Sequence, residues 1–244
     1  MIISQVRKCY KEFRFSWKSV INLICFVALV FFATYVFNQF KATQYFPIKE
    51  VKIAGIQHVN HDEVQHILLP LVNKGFFSVS VEHIKESLAQ LPWVAEASVR
   101  RVWPNQIIIQ VAEKLPFALW NNEQLLSTSG QLFSPARNTF PTDLPHFMGP
   151  EGAQLKMMEN YAKVSKIMTP LHLKMTRFEL SPAHVWSLTL DNGIKVNIGH
   201  KDILTRVGDF VKVYPKIIGN RANEVNSVDL RYSNGLAVRW KTLT

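Results

Sequence analysis

His58, His61 and His66 lie close enough together to suggest a metal site, the first chemistry to test. Zinc enzymes that take two ligands from one helix place them at i and i+4. These three are spaced by three and then five residues, and both cysteines, Cys9 and Cys25, lie well upstream. The pattern therefore gives no metal site. Nor does the chain contain a G-x-S-x-G elbow, a phosphate-binding P-loop or a G-x-G-x-x-G turn, so no catalytic or cofactor site is expected. Trp93, Trp103 and Trp120 read as packing aromatics rather than ligand platforms.

What remains is recognition by a surface. The segment from Leu236 to Lys241 comes last in a strand pattern and so belongs at a sheet edge, with main-chain N–H and C=O groups free to pair. An extended partner segment can add itself to such an edge. The preceding strand turns back through Asn234-Gly235. A three-residue loop, with Gly235 in the left-handed position, would pair Tyr232 with Leu236, Leu230 with Val238 and Val228 with Trp240 on one face. It would set Asp229 against Arg239 on the other, and this register is the expectation. A two-residue turn would instead put Leu230 opposite Arg239.

The elements that carry this edge begin with an anchor. The run opening on Val20 and closing on Phe37 is uncharged, with Asn22 and Thr34 its clearly polar interruptions. As a helix of 18 residues it would be about 27 Å long, close to the hydrocarbon thickness of a bilayer. Arg7, Lys8, Lys11, Arg14 and Lys18 precede it against Glu12 alone, which keeps residues 1–19 in the cytoplasm and sends the rest across. Trp17, Tyr35 and Tyr45 fall where amphipathic rings sit at the interfaces. A cleaved signal would need an A-x-A-like site, which Asn38-Gln39-Phe40-Lys41-Ala42 does not supply. The whole chain carries 28 Lys and Arg against 18 Asp and Glu. Its densest basic run is the one topology already explains, so nucleic acid is not an expected partner.

Beyond the anchor the periodicity gives two folded units, 46–114 and 115–244. In the first, Lys49 to Ile53 alternates as a strand. Asn60 caps a helix with Val64, Ile67, Leu68 and Leu71 on one face, and Ser80 caps another with Val81, Ile84, Leu88 and Leu91. Two strands follow around Trp103-Pro104-Asn105, giving the order β-α-α-β-β. In the first of them Trp93, Ala95, Ala97 and Val99 should share a face. The second unit reads as short strands from Phe117 to Phe133, a Pro-rich loop from Pro135 to Pro150, and a helix with Leu155, Met158, Ala162, Ser165 and Met168 inward. Strands at 174–180, 186–190 and 194–198 follow, the last pair turning at Asp191-Asn192-Gly193. A helix carrying Ile203, Val207, Phe210, Val211 and Tyr214 then ends at Pro215. The expected class is α+β, with an antiparallel sheet and one or two helices in the second unit.

The runs FPIKEVKIAG, GFFSVSVEHIKESLAQLPWVAEASVRRVWPNQIIIQVAEKLP and SVDLRYSNGLAVRW resemble the bacterial FtsQ/DivIB cell-division family over nearly the whole chain. The resemblance implies a POTRA domain at 46–114, an FtsQ-type β domain at 115–244, and a non-enzymatic divisome scaffold of the inner membrane. That scaffold would have a cytoplasmic N-terminus, periplasmic domains enriched at the septum, and no cofactor. Its implied partners are FtsB, which comes with FtsL, and the family's motif carries partner binding onto Arg231, Tyr232, Asn234, Gly235 and Trp240. The family often has an Arg shortly before the preceding sheet tryptophan, where this chain reads His184-Val185-Trp186. A POTRA-containing envelope assembly or translocation factor is the alternative, weakened by the lack of a series of membrane-spanning strands.

Overall fold

A computed structural model describes residues 17–39, 46–232 and 235–241, with side chains of Ser19 and of residues 37–39 excepted. The expectations for the tail up to residue 16, for Tyr45 and for Asn234 fall outside the described residues.

Helix α1, Trp17–Gln39, contains the uncharged run, and its large apolar side chains from Ile21 to Tyr35 are exposed, from Phe31 at 74% to Val30 at 44%. Among the described residues no helix is long and apolar enough to cross a membrane.

The first unit has the expected order. Strand β1, Glu50–Ala54, is followed by α2, His61–Val72, and α3, Val81–Ala89, then by β2, Val94–Val102, and β3, Gln106–Glu113. Asn60 caps α2 by accepting the Asp62 N–H, and Ser80 caps α3 by accepting that of His83. The strands lie in the order β1-β3-β2, with β1 parallel to β3 and β2 antiparallel to it. Val64, Leu68, Ile84 and Leu88 pack on Ile107 and Ile109, all at most 5% exposed. The expected face of β2 is corrected. A bulge after Val94 buries Trp93, Val94 and Ala97 together and leaves Ala95 exposed. Trp103, read as a packing residue, is 72% exposed at the β2–β3 turn.

Nine described strands form the second sheet, in the order β12-β11-β10-β9-β8-β7-β4-β5-β6. These are β4 Pro116–Trp120, β5 Gln124–Ser127, β6 Leu132–Phe133, β7 His146–Met148, β8 Met175–Leu180, β9 Trp186–Leu190, β10 Lys195–Gly199, β11 Val225–Asp229 and β12 Ala237–Trp240. The sheet is mixed rather than antiparallel, because β7 lies parallel to both β4 and β8, and β10 parallel to β11. Strand β7 sits inside what the sequence reads as a Pro-rich loop. Helices α4, Gln154–Met168, and α5, Ile203–Ile217, cover one face. Helix α4 turns Met157, Val164 and Met168 inward, while Leu155, Ala162 and Ser165 are exposed, correcting all but Met168 and the half-buried Met158 of its expected stripe. Pro215 lies inside α5, which continues to Ile217.

Consecutive residues on β5 feed the two cores. Leu126 points into the core under α4 and α5, and Leu125 into that of the first unit, each fully buried. Trp93 completes the junction. Its ring stacks on His58 at 4.4 Å, meets Phe133 edge-on at 5.2 Å and donates from Nε1 to Thr139 Oγ1 at 3.0 Å.

Candidate functional site

A sheet has two edges, and here they differ. Strand β6 is two residues long and its Phe133 is buried in the first unit's core, so that edge is covered. Strand β12 has no described strand outside it. Among the described residues it is the uncovered edge.

The direction of its unpaired groups follows from two hydrogen bonds. Lys241 N–H donates to Glu224 C=O at 2.7 Å, so Lys241 faces β11. Main-chain groups alternate along an antiparallel strand, so Arg239 and Ala237 also face β11 while Val238 and Trp240 face outward. The partner strand agrees. Leu230 N–H donates to Asn197 C=O at 2.8 Å, toward β10, so Val228 faces that way too. Val228 stands opposite Val238, which makes them a pair without mutual hydrogen bonds.

The observed register corrects the expected one. Val228 pairs with Val238, Asp229 with Ala237 and Ser227 with Arg239, and a bulge brings Val225 opposite Trp240. Leu230 is not opposite Arg239 either, so the loop is longer than both alternatives. The cause is a side chain taking a ladder position. Asp229 Oδ1 accepts the Arg231 N–H at 3.0 Å, the next donor that would have bonded to β12. The Arg231 guanidinium then clasps the same carboxylate at 2.6 to 3.0 Å. Hydrogen bonding from Arg231 is the main cause that holds the Asp229 carboxyl below its ordinary pKa. The strand ends early, and the partner of Asp229 is Arg231, not Arg239.

Arg206 fixes the other side of this loop. From α5 its Nη1 donates to Ile198 C=O at 3.1 Å and Leu230 C=O at 2.6 Å, tying the ends of β10 and β11 to the helix. Gly199 (φ +101°) lets the chain pass: a Cβ there would stand 3.3 Å from Arg206 Nη1 and 3.4 Å from Arg231 Cγ. Between α5 and the loop lies a groove of about 610 Å3, lined by the apolar side chains of Phe210, Ile217, Leu230 and Leu236 together with Tyr232, Asp202, Arg206 and Asp209. The opposite face of the edge is polar, with a hollow of about 400 Å3 among Asn197, Asp229, Arg231 and Arg239.

Of the sequence-derived site residues, Arg231, Tyr232, Gly235 and Trp240 are brought to this one edge. Tyr232 is 61% exposed and Trp240 is 36% exposed. Neither packs in the core. Trp240 lies under the Arg221 guanidinium at 4.2 Å, and Arg221 is itself held by Glu224 at 2.8 Å. Arg206, Arg221 and Gly199 were missed. Arg206 had a signal: it follows Ile203 by three and precedes Phe210 by four, so it is a charge on an otherwise apolar stripe. Arg221 had none, lying in an irregular turn after α5.

The histidines do not assemble. His61 and His66 are exposed on α2, whereas His58 Nδ1 lies 2.8 Å from Glu113 Oε2. Among the described residues no group of three His, Cys, Asp or Glu side chains could hold a metal ion. The chemistry the edge can perform is strand addition, with main-chain groups supplying affinity and the two faces supplying selectivity.

Comparison with known proteins gives two matches that together span most of the chain. Residues 46–114 match the FtsQ-type POTRA domain, and residues 118–231 match the C-terminal domain of the cell-division proteins FtsQ and DivIB. The FtsQ cell-division protein of Coxiella burnetii is 38% identical over 196 residues, 80% of this chain and 81% of that one. That of Burkholderia pseudomallei is 33% identical over 199 residues, 80% of each chain. That of Shewanella oneidensis is 31% identical over 226 residues, 92% of this chain and 86% of the other.

Proposed function

The chain belongs to the FtsQ/DivIB family of bacterial cell-division proteins, and from that premise we propose that it is a non-enzymatic scaffold whose β12 edge docks FtsB, and with it FtsL. The observation that carries the reading is the pair of outward-facing residues Val238 and Trp240, with exposed Tyr232 beside them and no described strand outside β12. An extended segment of FtsB adds a tenth strand. Its alternate side chains then meet the mixed apolar and polar groove along α5 on one face and Arg231 and Arg239 on the other.

In the same reading residues 1–19 are a cytoplasmic tail, 20–37 a transmembrane helix, 46–114 a periplasmic POTRA domain and 115–244 the docking domain. The protein sits in the inner membrane, enriched at the septum, and links cytoplasmic division proteins to periplasmic ones. Its support for the anchor is the full run 20–37, uncharged and flanked by the basic tail, within a helix whose described apolar side chains touch no core. Replacing Tyr232 or Trp240 by Ala and titrating with FtsB tests the docking edge. Each change should weaken binding by about 1–2 kcal/mol, or roughly 5- to 30-fold, with the unfolding midpoint unchanged. Undiminished affinity in both variants would overturn the assignment. A fluorescent fusion that gives an even envelope signal without a mid-cell band would overturn the divisome role.

A further inference from the structure

The first unit carries a second exposed surface that the docking reading does not use. It lies at the end where β1 begins. Lys49 and Glu50 N–H groups both donate to Asn105 C=O, at 2.9 and 3.4 Å, which brings the β2–β3 turn and Trp103 to the start of β1. Phe76 N–H donates to Phe46 C=O at 2.9 Å, and the Phe46 and Phe77 rings meet edge-on at 5.1 Å, so the α2–α3 turn comes to the same end. Arg101 closes the set by donating to Val79 C=O.

Three aromatic side chains therefore project from one end, Phe46 at 39%, Phe77 at 53% and Trp103 at 72% exposure. Around them are the exposed cations Lys49, Lys74 and Arg101. The nearby carboxylates are Glu50, which is paired with Lys52 at 3.4 Å, and Glu82 at the start of α3. Exposed aromatic rings ringed by an excess of Lys and Arg are the composition of protein surfaces that sit at the headgroup level of anionic bilayers.

The chain length names the occupant. Only residues 40–45 separate α1 from Phe46, and seven Cα-to-Cα steps of about 3.5 Å reach at most about 25 Å. With residues 20–37 in the membrane, this end of the unit cannot leave the neighbourhood of the leaflet. We propose that the Phe46–Phe77–Trp103 end of the first unit seats on that leaflet, its rings in the interfacial layer and its cations against anionic phospholipid headgroups. The proposal rests on the anchor reading. Seating would fix the tilt of the first unit, which a tether alone leaves free.

The test uses the full chain in a Cys9→Ser, Cys25→Ser background with one cysteine at exposed Ser78, labelled with a fluorophore. A second preparation carries the label at exposed Ser165. Both are reconstituted in vesicles of phosphatidylglycerol and phosphatidylcholine, with a nitroxide on the phosphatidylcholine headgroup as quencher. Expected are retention after an alkaline wash, several-fold stronger quenching at Ser78 than at Ser165, and loss of most of that difference in a Phe77→Ser, Trp103→Ser variant. The single Trp103→Ser variant, altered only at a mostly exposed ring, should lose part of it. Retention with equal quenching at the two sites overturns the seating and leaves the anchor standing. Release by the wash overturns both. A Ser78 label shielded from aqueous iodide yet not quenched by lipid means that a protein surface, a second copy included, covers this end, and that also overturns the assignment.

Discussion

Proline at position 238 separates the docking edge from the fold that presents it. Val238 is on a strand, yet its N–H faces away from β11, as the Lys241 bond to Glu224 and the Leu230 bond to Asn197 jointly require. Proline removes a donor that the chain does not use, at an edge position where a strand tolerates it. The half-buried Val238 side chain is exchanged for a ring of similar volume, so the cost to the fold should stay below about 1.5 kcal/mol. For an incoming strand the change is severe. One inter-strand hydrogen bond is lost, about 1 kcal/mol net, and the partner carbonyl left facing the ring without a donor adds about 1–2 kcal/mol. Together these weaken docking by roughly 2–3 kcal/mol, or about 30- to 150-fold in Kd.

The control is one residue away. Arg239 faces β11 and is paired with Ser227. Arg239→Pro breaks the internal ladder and should lower the stability of the β11–β12 hairpin by about 1–3 kcal/mol. Fluorescence anisotropy with a labelled FtsB segment, beside urea unfolding of the same preparations, reads both effects. Val238→Pro should bind weakly and unfold normally, and Arg239→Pro should show the lower midpoint. Wild-type affinity in a folded Val238→Pro protein would refute strand addition at β12. Destabilisation by Val238→Pro with none from Arg239→Pro would refute the assignment of which groups face outward.

Glu113→Gln should destabilise the first unit by about 2–3 kcal/mol, because the carboxylate accepts N–H groups of Gln57, His58 and Val59 at 2.7 to 3.0 Å. Burial raises the Glu113 pKa, but the N–H donors and His58 outweigh it and leave it below the ordinary value of 4.5. Its stabilisation is therefore present above that value and lost as pH falls through the lower folded-state pKa, so the variant should lose part of the acid limb of a stability–pH curve. Gly55→Ala should cost roughly 2–4 kcal/mol in urea unfolding, since φ is +88° and the new Cβ would fall 2.0 Å from Val111 C=O. Arg206→Met leaves the Leu230 and Ile198 carbonyls without their donor, and amide exchange should rise at residues 228–232 while that of β1 to β3 stays unchanged.

The sequence was most legible where local chemistry and periodicity coincide. Asn60 and Ser80 cap the helices they were assigned, and β3 falls where the second strand was read, with Ile107, Ile109 and Val111 alternating inward. It was least legible where pairing is long-range. Strand β7 is three residues long and parallel to both neighbours, so neither a hairpin turn nor an alternating run announces it. The inward face of α4 was misread because its apolar residues fit more than one helical stripe, and the tertiary setting selected Met157 and Val164 over Leu155. The last hairpin failed for another reason. Asn234-Gly235 is a strong turn signal, and counting cross-strand pairs assigns Asp229 to Arg239. A carboxylate two residues from an arginine can instead bond that arginine's own N–H, and this local bond shortened the strand. From Ala237 to Arg239 the register moved by two, which keeps those side chains on their original face, whereas at Trp240 the bulge moved it by three.

The same geometry decides where a partner can stand. The covered edge, β6, and the open edge, β12, are separated by eight strand-to-strand steps, about 38 Å at about 4.8 Å each. The first unit packs at the β6 end through Trp93, Leu125 and Phe133, and that unit is the one tied to α1 by six residues. A strand docked on β12 is therefore held a full sheet width from the first unit's core. Because β4 to β12 form one continuous ladder, a pull on a strand docked as proposed would be carried across the sheet by main-chain hydrogen bonds. It would reach the first unit where Leu125 and Leu126, adjacent on β5, belong to the two cores. On the proposed function, the junction at β5, Phe133 and Trp93 is where docking at the edge and attachment at the membrane would meet, and a buried aromatic contact there couples the two units as a free linker would not.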